Sequence, residues 1–167
     1  MYFKNFPKIR YSLDNLQTSF VITDIFRRVK ADQRDILSSL AYDEYDIQEG
    51  ETPEILADRI YNNVYYHWVI LVTNDIIDPR WDWPMDSDVF FDYVVEKYGQ
   101  NNLGAVHHYV NSTGDIVHSS YAGNKTAVSN FDYEQTLNEE KRRIQVVKPQ
   151  YLSAFLKNFE RALNSGQ

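Results

Sequence analysis

The sequence predicts an α+β fold, and three stretches carry that expectation. Residues 151–163 place Tyr151, Leu152, Phe155, Leu156, Phe159 and Leu163 at helical spacing behind Pro149. Residues 41–61 run from an alternating segment, with Tyr42, Tyr45 and Ile47 apolar, through Gly50 to Thr52-Pro53. That pair is a helix N-cap followed by proline at the first helical position. Residues 105–120 read as a hairpin, with AVHHYV and DIVHSS as strands and Asn111-Ser112-Thr113-Gly114 as the turn. The result is a small strand–helix–helix unit with an added β-hairpin, an extended N-terminal arm and a C-terminal amphipathic helix.

Taken in order, Met1–Tyr11 is an irregular arm carrying Tyr2, Phe3, Phe6 and Tyr11 around Pro7. Residues 18–31 mix β-branched and helix-like character, with Thr23-Asp24 suited to cap a turn. Residues 32–41 predict a helix with Ile36, Leu37 and Leu40 inward. A strand at 41–48 leads into a helix at 53–61 that turns Ile55, Leu56, Ala57 and Ile60 to the core. A second helix, YYHWVILVTN, follows and stops at Asn74. Its apolar run suits a strand by propensity, but a second helix closes a compact unit. Pro79 and Pro84 frame an aromatic turn, Trp81-Asp82-Trp83. Asp86 or Ser87 then caps a helix that buries Val89, Phe90, Tyr93, Val94 and Tyr98 and ends at Gly99. After the hairpin, residues 121–136 read as extended, and LNEEKRRIQVV as a short helix running into a strand. These elements divide the chain into segments 1–40, 41–84, 85–136 and 137–167.

Composition removes whole classes of function. The chain has 167 residues and no cysteine, so disulfides, thiol nucleophiles, zinc–thiolate sites and iron–sulfur clusters are excluded. A chain this long buries roughly 70% of its unfolded surface without metal or disulfide. No apolar run reaches the roughly 18 residues of a membrane span. Met1–Arg10 is not read as a signal peptide, because Asn5, Pro7 and Lys8 interrupt it. The net charge of -7 is divided as +4 over residues 1–31, -13 over 32–96 and +2 over 97–167. An acidic middle between basic ends suits contacts between copies or with basic neighbours, and argues against general nucleic-acid binding.

Chemistry-bearing residues do not converge. His107, His108 and His118 lie in the hairpin near Asp115, but adjacent strand residues face opposite sides unless the strand breaks. No metal site and no cofactor are expected. Asp82, Asp86, Asp88 and Asp92 surround the aromatic turn, as paired carboxylates of a glycosidase would. Acidic residues are dense enough here for such proximity to arise by chance. No catalytic residue is assigned. Lys141-Arg142-Arg143 is the one tight basic cluster, and an interface salt-bridge role fits it better than nucleic acid.

At residues 61–98 the sequence resembles the baseplate wedge protein 53 family of contractile-tailed, T4-like bacteriophages. The resemblance rests on Tyr61-Asn62-Asn63, His67-Trp68, the apolar run to Asn74, Asp78-Pro79, and Asp82-Trp83-Pro84 before the aromatic helix. His107-His108-Tyr109, Tyr133-Glu134, Leu137-Asn138-Glu139, Lys141-Arg142 and Pro149-Gln150-Tyr151-Leu152 extend it along nearly the whole chain. It implies a structural, non-enzymatic virion component, assembled in the host cytoplasm, that helps join neighbouring wedges of a six-fold baseplate. Its implied partners are other wedge proteins and further copies of itself, with no nucleic acid and no membrane.

A second resemblance is nested within the first. Residues 42–74 are similar to a LysM module, through Tyr45 and Ile47 of the strand, Gly50-Glu51-Thr52 of the turn, Leu56-Ala57, Tyr61 and Asn74. LysM modules bind N-acetylglucosamine-containing glycans such as peptidoglycan, so glycan binding and glycan hydrolysis are the alternatives to a structural role. Residues 50–55 and 73–78 correspond to the sugar-holding loops. After Asn74 the pattern departs, because IIDPRWDWP replaces the short link to a closing strand. Sugar binding is therefore the disfavoured alternative. Exposed aromatics and clustered charge make good anchors for protein neighbours. The expected partner interface comprises Tyr2, Phe3, Phe6, Tyr11, Trp81, Trp83, Lys141, Arg142 and Arg143.

Overall fold

A computed structural model describes residues 2–12, 19–26 and 39–164. A 3-10 turn, Tyr2–Asn5, precedes β1 (Lys8–Ser12) and β2 (Ser19–Thr23). Then come β3 (Tyr42–Asp46), α1 (Pro53–Tyr61), α2 (His67–Thr73), the short α3 (Pro79–Asp82) and α4 (Ser87–Tyr98). The chain continues through β4 (Val106–Asn111), β5 (Ile116–Val117), β6 (Lys125–Ser129), α5 (Asn130–Glu140), β7 (Arg143–Val147) and α6 (Leu152–Asn164). The described residues mix helices with small sheets, so the fold is α+β as the sequence predicts.

These elements form two compact units, each assembled from non-consecutive segments: residues 1–45, 51–77 and 144–167, and residues 46–50 and 78–143. The linear segment 41–84 therefore contributes to both.

In the first unit, Thr52 caps α1 by accepting from Ile55 N, and Pro53 follows as N1. The inward stripe is Pro53, Leu56 and Ala57, with Ile60 half-buried. Ile55 is exposed, because it falls outside that i, i+3, i+4 stripe. Asn62 ends α1 in the left-handed conformation, φ 52°. Helix α2 buries Trp68, Val69, Ile70 and Thr73. The core joins Phe6, Trp68, Val69 and Val147 to Phe155, Phe159 and Leu163 of α6. Tyr151, expected inside, sits in a 3-10 turn ahead of α6 and is 39% exposed.

The strand that completes α1 and α2 comes from far along the chain. β3 pairs with β7, and the bond from Lys148 N to Ala41 O lies beside the start of one strand and the end of the other. Asn74 fixes the match: its Nδ2 donates to Gln145 O, and its Oδ1 accepts from Gln145 N, each at 2.8 Å. Residues 78–142 thus separate α2 from the strand that pairs with β3.

The N-terminal segment is more regular than an irregular arm. β1 and β2 form an antiparallel ribbon with Ile9 opposite Ile22 and Tyr11 opposite Phe20. Of the helix expected at 32–41, Ile36 and Leu37 lie outside the described residues. Leu40 is in a 3-10 turn and is 75% exposed, whereas Ala41 is buried in its place.

In the second unit, α4 buries Phe90 and Val94, and Phe90 meets Phe131 of α5 edge-on at 5.5 Å. Val89 points outward, because the contact with α5 spans only a narrow stripe. Gly99 ends α4 at φ 80°, where a side chain would strain the backbone. The three-stranded sheet has the order β5-β4-β6, all antiparallel. Extended structure stops at Ser129, so the expectation of extension through 136 is corrected. Ser129 Oγ accepts from Asp132 N and starts α5 at Asn130.

Candidate interaction surface

The second unit is held by polar side chains that clasp backbone. Asn138 donates to Met85 O at 3.0 Å and accepts from Met85 N at 2.8 Å, fixing the chain just beyond Trp83-Pro84. Asn130 donates to Asn102 O. Buried Glu134 receives Lys97 Nζ at 2.8 Å and the Tyr98 hydroxyl at 2.7 Å. Burial pushes the Glu134 carboxyl up, but these hydrogen bonds and the Lys97 charge outweigh it and leave it below the ordinary range. Lys97 is correspondingly raised, first by its hydrogen bond to Glu134.

On this frame the two tryptophans diverge. Trp83 is buried, 7% exposed, and belongs to the chain's own core. Trp81 is 57% exposed, yet its backbone is fixed. Asp78 caps α3 by accepting from Arg80 N, Pro79 opens the helix, and Lys141 Nζ donates to Trp81 O at 2.6 Å. Its ring meets Tyr93 edge-on at 6.2 Å. An open groove of about 530 Å³ lies here, lined by Trp81, Met85, Tyr93, Leu137 and Lys141, with Lys97 and Glu134 in its wall.

The basic cluster splits three ways. Lys141 serves the Trp81 carbonyl. Arg142 turns into its own unit, to Glu49 and Glu139 at 2.9 Å each and to Ile47 O at 3.2 Å. The carboxylates of this chain therefore already occupy it. Arg143 is 75% exposed along its side chain, with only a loose approach to Asp46 at 3.7 Å. Among the N-terminal aromatics, Phe6 is buried, and Tyr2 packs on Phe6 and Trp68 with ring centroids 4.8 and 5.2 Å away. Phe3 and Tyr11 remain about half exposed. The structure thus brings Trp81 and Lys141 together, consumes Phe6, Trp83, Tyr2 and Arg142 internally, and leaves Phe3, Tyr11, Trp81 and Arg143 facing outward.

The histidines behave differently from an ideal strand. The β4–β6 register shifts between Val106 and His108, and this irregularity brings the His107 and His108 Nδ1 atoms to 2.8 Å. His107 also stacks on Tyr133 at 4.0 Å. His118 bonds Ser120 instead. Among the described residues, no group of three or more His, Cys, Asp or Glu is placed to hold a metal ion. Asp82 and Asp86 also have structural partners: Asp82 accepts from Asp78 N, and Asp86 from Gly50 N.

Trp81, with its carbonyl held by Lys141, thus stands exposed beside an open groove. The family model described as base plate wedge protein 53 matches residues 1–121, and the chain belongs to that family. It is also similar to Baseplate wedge protein gp53 of Enterobacteria phage T4, 23% identical over 188 residues that cover 98% of this chain and 96% of the relative. The chain is accordingly a structural subunit of a phage tail baseplate wedge.

Proposed function

We propose that this subunit joins adjacent wedges in the baseplate, and that it does so by surface contact rather than by catalysis. Trp81 carries this reading, because it is a large aromatic left in solvent while its backbone is held in place. Such a residue loses little conformational entropy on docking and contributes disproportionately to affinity. Arg143, Tyr11 and Phe3 complete the proposed contact set. The partners are other baseplate proteins and, in a six-fold arrangement, further copies of this chain.

We read the β3–α1–α2–β7 arrangement as a LysM-like scaffold carrying a long insertion. The reading is supported by the antiparallel closure of β3 by β7 and by the order of the elements. Glycan recognition is not part of it. Thr52 Oγ1 is engaged in capping α1, and the Asn74 amide is engaged on Gln145, so both positions perform structural work.

The test is complementation of a phage lacking this protein with Trp81→Ala. A lost hot spot of about 2 kcal/mol lowers partner affinity roughly 30-fold. The expected result is a folded chain that fails to enter baseplates. Normal tail yield from Trp81→Ala, alone and combined with Tyr11→Ala, overturns the proposal.

A further inference from the structure

The β4–β6 pairing contains one misfit. Val106 lies opposite Ser129 and His108 opposite Val128, so β4 takes two steps where β6 takes one. His107 is the extra residue, as in a β-bulge. An unbroken strand would turn His107 and His108 to opposite faces, which is why their adjacency in sequence argues against a shared site. The bulge removes that objection, because it brings the two Nδ1 atoms within 2.8 Å of each other. Tyr133 of α5 holds both rings. His107 stacks on it at 4.0 Å and 11°, and His108 meets it edge-on at 5.6 Å. His107 is exposed and His108 half-buried, so solvent reaches the pair. The other two histidines are engaged elsewhere, His67 Nδ1 with Val64 O and His118 Nδ1 with Ser120.

The geometry points to a two-histidine chelate, made by the Nδ1 atoms of His107 and His108, for a late first-row divalent cation such as Ni²⁺. Two imidazole nitrogens bound at about 2.0–2.1 Å and at right angles lie about 2.8–3.0 Å apart, as neighbouring ligands of a tetragonal ion do. The chain has no thiol, and among the described residues no third His, Asp or Glu joins the pair. The site is therefore open, with water in the remaining positions, and its nitrogen donors suit such an ion rather than calcium or magnesium. A neutral imidazole carries one N–H, so a single proton bridges the two Nδ1 atoms of the free protein. On binding, that proton passes to the Nε2 of its own ring by exchange with solvent. Both Nδ1 lone pairs then bond the ion, two of its waters leave, and no net proton or electron is lost. Tyr133 acts through the two rings, as a positioning residue. None of this depends on the wedge-joining reading above.

The test titrates the full chain, without an affinity tag, with Ni²⁺ at neutral pH by calorimetry. The expected result is one ion per chain. His107→Ala and His108→Ala should each weaken binding about tenfold or more, and Tyr133→Phe should keep the affinity that Tyr133→Ala reduces. His118→Ala should bind as wild type does. Circular dichroism confirms the fold of each variant. A second measurement needs no variant: substoichiometric Ni²⁺ should broaden the NMR signals of His107, His108 and Tyr133 in the wild-type chain before those of His67 and His118. Absence of saturable Ni²⁺ binding by wild type overturns the proposal. So does unchanged affinity in His107→Ala, or broadening centred on His67 or His118.

Discussion

Asn74→Ala tests how a strand so distant in sequence completes the first unit. The Asn74 amide donates to Gln145 O and accepts from Gln145 N, and it also donates to Ile70 O. The last bond matters least, because Asn74's own backbone N–H already reaches that carbonyl. The two bonds to Gln145 contribute about 1 kcal/mol each, and part-buried groups left unpaired add to the loss, giving about 2–3 kcal/mol. For a chain of this length that corresponds to a fall in Tm of about 5–10 °C. Urea unfolding followed by circular dichroism should show a lower midpoint at unchanged slope. The Gln145 amide should exchange faster with solvent. Asn74→Asp keeps the acceptor and loses the donor, so it should fall between the two. A change below about 0.5 kcal/mol, with Gln145 still protected, would refute the idea that this side chain locks β7 to α2.

Glu134→Ala should destabilise the second unit by about 2–3 kcal/mol, at or below the lower end of the range for a broken buried pair, because Lys97 keeps access to water. The folded carboxyl lies below its ordinary range, so its contribution is complete above the unfolded value near ~4.3 and is lost as pH falls through the folded value. Acid unfolding of wild type and Glu134→Ala should therefore converge at low pH. Thr52→Ala should cost about 1 kcal/mol by uncapping α1, measured by thermal unfolding. Phe155→Ala should cost about 3–5 kcal/mol, since Phe155 is fully buried among Trp68, Phe159 and Val147; calorimetry reads it directly.

What the sequence disclosed follows from how local each cause is. Thr52-Pro53, the periodicity of 151–163 and the turn at Asn111–Gly114 act within a few residues, and their elements appear where expected. The β1–β2 ribbon was hidden because β2 lies within residues 18–31, which mix β-branched and helix-like character. The start of α5 was missed although Ser129 and Asp132 form a capping pair, because the polar run before it masks any apolar periodicity. The β3–β7 pairing joins strands far apart in the chain, which no local pattern encodes. The interface residues divide for the same reason. Trp81 and Trp83 look alike in sequence, and only the Asn138 clasp on Met85 and the Lys141 bond to Trp81 show which is core and which is surface. Arg142 likewise needs Glu49, distant in sequence, to be recognised as internal.

The central claim is that exposed aromatics of this chain are surfaces awaiting neighbours. A density map of the intact tail baseplate at side-chain resolution tests it most directly. Trp81 and Tyr11 should be covered by neighbouring subunits there, while Trp83 and Phe6 keep their intramolecular packing. Trp81 and Tyr11 still facing solvent in the assembled baseplate would contradict it.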